Sequence, residues 1–204
     1  MDKEKIISTY NSIAENYDKN YSAPSDRIND LLNYISKDSV ILDLGCGAGN
    51  NAVYLSKLGY NVTGMDLSDS MLAIAKNKKS NAKFIKGDVC KLSFGNNSCD
   101  CIISSYIFCH LSRQDVEKCL ARIHDILMQD GILFIELFTG NLGEITIPEP
   151  MNNALTMDFN IIPKNDIETL LTKNKFKIIK FYAHDDTEFG LSGIQDICIV
   201  ARKV

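Results

Sequence analysis

The chain lacks several features that would restrict its biology at once. No apolar run approaches the roughly 20 residues that span a bilayer, so no membrane helix is expected. Basic residues are not in excess: 22 Lys and Arg stand against 26 Asp and Glu, a formal charge of −4. A nucleic-acid partner is therefore disfavoured, because such binders carry a basic patch or stripe. The one tight cluster, Lys76, Lys78 and Lys79, falls at an expected helix end, where it complements the helix dipole. Seven cysteines include no C-x-x-C pair. Cys101, Cys109, Cys119 and Cys198 lie within apolar runs, where cysteine behaves as a small hydrophobe, and a reducing, cytoplasmic setting is expected. Neither His124 nor His184 has a partner at metal-ligand spacing, and no metal is expected. No internal repeat, low-complexity tract, signal-peptide pattern or second domain is visible. At 204 residues and 45% hydrophobic content, one soluble domain with a full core is the expectation.

What is present is an ordered alternation of strand and helix patterns. Ile6, Tyr10, Ile13 and Tyr17 recur at helical spacing, as do Ile28, Leu31, Leu32 and Ile35, which predicts two helices before the first strand, with Pro24 suiting a helix's first turn. Strands are expected at Val40 to Leu44, Val62 to Met65, Ala82 to Lys86, Cys101 to Ser104 and Ile132 to Leu137, with helices between them. Ser68 and Ser112 are the expected N-caps, and Gly131 the expected end of the helix aligning Val116, Leu120, Ile123 and Leu127. Such alternation implies a parallel sheet covered on both faces. Residues 138–162 carry glycines, prolines and asparagines and read as a long loop on the substrate side. A helix around Ile167 to Leu171 and strands at Phe176 to Tyr182 and Gln195 to Ala201, separated by 185–193, complete the chain.

The chemistry concentrates in Val40-Ile41-Leu42-Asp43-Leu44-Gly45-Cys46-Gly47-Ala48-Gly49. An apolar strand closes on an acid, then glycine stands at every second position, so that the backbone can turn sharply and approach a ligand. A second strand, Asn61 to Met65, ends on Asp66, where a carboxylate is placed to accept from ribose hydroxyls. The glycine spacing differs from the dinucleotide pattern G-x-G-x-x-G, whose third glycine would be Asn50. It reads D-x-G-x-G-x-G instead.

In this motif the sequence resembles the class I S-adenosylmethionine-dependent methyltransferases of the small-molecule, ubiquinone/menaquinone-biosynthesis-like type. Phe84-Ile85-Lys86-Gly87-Asp88-Val89, Asp100-Cys101-Ile102-Ile103-Ser104-Ser105 and Leu127-Met128-Gln129-Asp130-Gly131-Ile132-Leu133 are similar to three further family segments, in the family's order. The resemblance implies an α/β, Rossmann-like three-layer sandwich: a seven-stranded, mostly parallel sheet with one antiparallel strand, and two N-terminal lid helices. It divides the chain into lid helices (1–37), cofactor-binding core (38–137), substrate-side loop (138–162) and closing helix and strands (163–204). It implies S-adenosylmethionine as cofactor and a small-molecule methyl acceptor as partner. Asp43, Gly45, Cys46 and Gly47 would serve the methionine part, Asp66 and Leu67 the ribose, Asp88 and Val89 the adenine. Ser104 or Ser105 would present carbonyls near the amine. Tyr10-Asn11-Ser12-Ile13-Ala14-Glu15-Asn16-Tyr17-Asp18 looks like the family's lid opening, with Tyr17 as a cofactor contact.

Each residue also has a plainer reading. Asp43, Asp66 and Asp88 suit helix caps and turns, Cys46 suits redox chemistry only in an electropositive setting, and the Tyr10, Tyr17, Tyr21 set suits packing. His110 is the one acid–base candidate, its ordinary pKa lying near neutrality, and a structural histidine is the competing reading. Base methylation within nucleic acids is disfavoured because Ser104-Ser105-Tyr106-Ile107 stands where an Asn/Asp-Pro-Pro-aromatic motif is usual. A silent cofactor-binding module, methyl transfer to RNA or protein, aminopropyl transfer and nicotinamide chemistry are the alternatives.

Overall fold

The computed structural model describes residues 1–185 and 192–204, with the backbone alone at Asp185. Its helices are α1 (Lys3–Asn20), α2 (Ile28–Leu31), α3 (Asn50–Lys57), α4 (Asp69–Asn77), α5 (Arg113–Ile126) and α6 (Lys164–Lys173). Its strands are β1 (Val40–Leu44), β2 (Asn61–Asp66), β3 (Lys83–Lys86), β4 (Cys99–Ser105), β5 (Leu127–Gly140), β6 (Gly143–Glu149), β7 (Asn152–Ile161), β8 (Phe176–Asp185) and β9 (Ile194–Lys203). Seven strands form one sheet in the order β3-β2-β1-β4-β5-β9-β8, and β6 pairs with β7 in a separate hairpin. The first five run parallel, while β9 is antiparallel to both β5 and β8.

Because side chains alternate across a sheet, each strand feeds two cores. Leu42, Leu44, Ile102, Leu133, Ile135, Ile197 and Ile199 pack against α5 and α6. Ile41, Cys101, Ile103, Phe134, Cys198 and Val200 pack against α2, α3 and Tyr60. Apolar residues on both faces are what a parallel sheet covered on both sides needs. The expected caps form: Ser68 Oγ accepts from the Met71 N–H, and Ser112 Oγ from the Asp115 N–H. Beyond α4, the helix α1 lies across the binding edge of the sheet, its Asn11 Oδ1 accepting from Ser68 Oγ and the Ser70 N–H.

Four expectations are corrected. The segment read as a long loop over 138–162 is mostly strand: β5 runs on to Gly140, and β6 and β7 follow. Its turn-forming residues hid a two-residue period, for Met157, Phe159 and Ile161 alternate with more exposed neighbours. The second lid helix is a single turn, because Ile28 and Leu31 alone are fully buried and Asp30 and Asn33 enter local turn bonds. Pro24 consequently precedes α2 rather than opening it. The helix expected to reach Gly131 ends at Ile126, since Leu127 pairs with Cys99 and Asp130 adopts a left-handed turn (φ 63°). The connection expected over 185–193 lies for the most part outside the described residues.

Phe134 is fully buried at the centre of the α2/α3 face. Phe134→Ala is expected to lower unfolding free energy by about 3–5 kcal/mol through lost transfer energy and a residual cavity, measured by urea denaturation.

Candidate functional site

Strand order reverses at β1 and β4, and a crevice opens beyond their carboxyl ends. The loop after β1 enters that crevice with Gly45, Gly47 and Gly49 all at positive φ (65°, 51° and 79°). A Cβ at Gly45 would stand 1.9 Å from Ile107 Cδ1, whereas one at Gly47 would meet nothing within 4 Å and would project into open space. The Cys46 N–H donates to the Met65 carbonyl and the Gly47 N–H to Asp66 Oδ2, tying the loop to the end of β2.

Two adjoining cavities, of about 810 Å³ and about 250 Å³, occupy the crevice. Tyr10, Tyr17, Gly45, Gly47, Ser105, Tyr106 and His110 line both. The larger is lined in addition by Asp43, Cys46, Glu136, Glu149 and Asp196, the smaller by Asp66, Leu67, Asp88 and Val89. One row of side chains supplies four of the polar lining residues. On the α2/α3 face the apolar rows Ile41, Ile103, Phe134 and Cys198 each continue, two residues further towards the crevice, into Asp43, Ser105, Glu136 and Asp196.

Burial sets the electrostatics of that row. Asp43 is almost wholly enclosed, and burial, with the nearby Asp66 carboxylate, pushes its carboxyl up to about 8; the Ala52 backbone offsets part of this. Among the described residues its Oδ2 has no hydrogen-bond partner. Glu136 is also raised by burial, against the hydroxyls of Ser25 and Ser105, both of which donate to it. Burial raises Asp66 as well, moderated by N–H donors from Ser68, Gly47 and Leu67. Arg27 Nη1 lies 2.9 Å from Asp196 Oδ2 and 3.8 Å from Glu136 Oε1. Tyr106, at φ 57°, donates its hydroxyl to Asp196 Oδ1.

His110 is enclosed, and burial lowers its imidazole to about 4. Nε2 lies 2.9 Å from Tyr10 Oη, and the backbone of Asp158 offsets part of the lowering. Phe159 of the hairpin stacks against its ring at 5.0 Å, and Tyr10 approaches edge-on at 5.5 Å. A neutral imidazole at physiological pH orients by hydrogen bonding and is a weak base. Asp88 is tied down differently: Lys3 Nζ lies 2.7 Å from Oδ2, and its carboxyl is held below the usual range by Lys3 and the Cys90 N–H, which outweigh partial burial.

Of the expected site residues, Tyr17, Asp43, Gly45, Cys46, Gly47, Asp66, Leu67, Asp88, Val89 and His110 all line one cavity or both. Ser104 does not. The two-residue period turns its side chain to the opposite face, where it is fully buried with Oγ unbonded, and Ser105 faces the cavities instead. Sequence reasoning missed Arg27, Glu136, Glu149 and Asp196. Glu136 had left a signal, a lone acid inside the apolar run Ile132 to Phe138. Arg27 had none, for only the tertiary structure brings it to Asp196.

The raised Asp43 pKa has a definite pH consequence. Between the ordinary carboxylate range and about 8, the folded protein holds a proton that the unfolded chain releases. Stability without ligand therefore falls as pH rises through that window, by at most about 1.4 kcal/mol per pH unit from this group. Asp43→Asn removes one proton's worth of that slope. Urea unfolding at pH 5, 6, 7 and 8 is expected to show a flatter profile for the variant.

Comparison with known proteins agrees with this geometry. A family profile described as a methyltransferase domain matches residues 42–135. The chain is 32% identical over 206 residues to the ubiquinone/menaquinone biosynthesis C-methyltransferase of Campylobacter jejuni subsp. jejuni serotype O:2, covering 85% of this chain and 86% of that protein. It is 35% identical over 145 residues to a protein of Geobacillus sp. strain WCH70 that carries a provisional methyltransferase name, covering 63% of this chain and 57% of that relative. The chain thus spans little more than half the length of this second relative. Among solved structures, the fold is similar to the 1,6-didemethyltoxoflavin-N1-methyltransferase of Burkholderia thailandensis with bound S-adenosylhomocysteine (TM-score 0.75, 19% identity, 98% of this chain and 88% of that one). With the glycine loop opening into the crevice at the strand reversal and most of both chains aligned to the Campylobacter enzyme, this chain belongs to the class I S-adenosylmethionine-dependent methyltransferases.

Proposed function

We propose that this enzyme transfers the methyl group to a small-molecule acceptor, with the adenosine end of the cofactor in the smaller cavity and the acceptor in the larger. The observation that carries this reading is the junction of the two cavities at Gly45, Gly47, Ser105, Tyr106 and His110. A donor and an acceptor meeting there are held end to end, the arrangement that an in-line displacement requires. S-adenosylmethionine supplies a methyl group already carried on a good leaving group, the sulfonium.

The residues suit that group. Gly47 leaves open space where any side chain would intrude, and Asp43 offers a buried, unpartnered carboxyl oxygen to a cationic ligand. In this reading the Gly45-Cys46-Gly47 backbone and Asp43 hold the methionine part. Asp66 accepts from the ribose hydroxyls with Leu67 beside it, and Asp88 and Val89 bind the adenine edge, which requires Asp88 to share its carboxylate with Lys3 or release it. Tyr17 closes over the cofactor from α1. Of the two serines considered, Ser105, which lines both cavities, presents its carbonyl near the cofactor amine. His110, held neutral, positions the acceptor with its ring oriented by the hydrogen bond to Tyr10. Alignment and exclusion of water supply most of the rate, since α1 and the hairpin cover the junction.

All seven cysteines are free thiols, which suits a reducing compartment such as the cytoplasm. Among the described residues no helix is long and apolar enough to cross a membrane.

Calorimetric titration tests the assignment. S-adenosylmethionine is expected to bind with micromolar affinity and NADH not at all. Asp66→Ala should weaken cofactor binding at least tenfold by removing the ribose acceptor, and Tyr17→Phe should weaken it by a smaller factor. Undiminished affinity in Asp66→Ala would remove that residue from the site.

A further inference from the structure

The larger cavity carries an unbalanced set of charges. Asp26, Glu136, Glu149 and Asp196 line it together with His184 and with Asp43, which burial keeps protonated up to about 8, and its one guanidinium among the described residues, Arg27, is already paired with Asp196. Glu136 also has Arg27 within 3.8 Å and two serine hydroxyls. Glu149 stands apart. The residue is only 5% exposed at the end of β6, its Oε1 accepts from the Met151 N–H at 3.1 Å, and among the described residues no basic side chain pairs with it. A buried carboxylate without a counter-charge is costly in the free protein, and a cation that arrives beside it offsets that cost.

The cavity that Glu149 lines also has an aromatic wall. Tyr106 and Phe138 lie 4.9 Å apart at 35°, Phe138 and Phe159 meet edge to face at 6.3 Å, and Phe159 stacks on His110. All four rings line the larger cavity. Ring faces attract a cation through their quadrupole, most strongly where water is excluded. His110 is held uncharged by its burial, so it adds no repulsion. Among the described residues, an anionic acceptor would find one guanidinium, Arg27, already paired with Asp196, and the imidazoles of His110 and His184, and would face several carboxyl groups.

From this pairing of an aromatic wall with an uncompensated buried carboxylate, we propose that the acceptor is an aliphatic amine, bound as its cation between Tyr106, Phe138 and Phe159 and facing Glu149. The proposal rests on the methyl-transfer reading above. In the reaction one ammonium proton passes to the Glu149 carboxylate, and the freed nitrogen lone pair forms the N–C bond to the methyl carbon. The C–S bond breaks with its electron pair left on sulfur, which becomes a neutral thioether, and the positive charge ends on nitrogen. The aromatic wall therefore meets a cation before and after transfer.

The test uses the full chain saturated with S-adenosylhomocysteine, whose own binding is recorded first. Choline and its uncharged isostere 3,3-dimethylbutan-1-ol are then titrated by calorimetry. Choline is expected to bind at least tenfold more tightly. The preference should collapse in Glu149→Gln and weaken in Phe159→Leu, with S-adenosylhomocysteine affinity unchanged in both. Secondary and tertiary aliphatic amines should also be methylated in preference to phenols and quinols. Equal affinity for the two isosteres, a preference that survives Glu149→Gln, or turnover confined to phenols and quinols would overturn the amine assignment while leaving methyl transfer intact. Failure of S-adenosylhomocysteine to bind would overturn the methyl-transfer reading itself, and this inference with it.

Discussion

Between β1 and β4 the chain's connections leave in opposite directions, so the carboxyl ends of these two strands have no continuous helical cover. Most of the binding surface depends on that reversal. The glycine loop fills the gap from one side with bare backbone, and the end of β4 delivers Ser105 and Tyr106 to the other. A side chain at Gly45 would collide with Ile107, so the loop and the segment after β4 are fitted to each other as well as to a ligand.

The polar row at the crevice carries a large desolvation cost. Asp43, Glu136 and Asp66 are all pushed towards their neutral forms by burial. The protein limits that cost with backbone N–H groups at Asp66, serine hydroxyls at Glu136 and a guanidinium at Asp196. At Asp43 Oδ2 it leaves the cost standing. A site tuned this way favours cations, and both the sulfonium and ammonium groups of the family's cofactor are cationic.

The cover over the crevice is assembled from many modest contacts. The helix α1 is held through Lys3 to Asp88, Lys5 to Asp158, Asp18 to Lys78, and Tyr10 to His110. Exposed or half-exposed ion pairs of this kind contribute about 0–1 kcal/mol each. The hairpin is anchored similarly, by Thr139 to the Ile162 carbonyl and Asn160 to the Leu111 carbonyl. A cover held by several weak bonds can open without disturbing the two large cores beneath it.

Local pattern alone determined the parallel core, the glycine loop, the acids at the ends of β1 and β2, and the serine caps, because each is a short-range consequence of side-chain period or backbone freedom. Of the eleven site residues that the sequence and the family resemblance pointed to, ten line the cavities. Of the serine pair expected to offer carbonyls, Ser105 lines the cavities, while one residue of phase turns the Ser104 side chain to the opposite face. The hairpin over β6 and β7 was hidden by Gly, Pro and Asn, whose turn signals outweighed the alternation of Met157, Phe159 and Ile161. Which groups surround the larger cavity only the tertiary structure decided. Arg27 reaches Asp196 across 169 residues of sequence, and Phe159 meets His110 across the hairpin, and such long-range contacts leave no trace in spacing or composition.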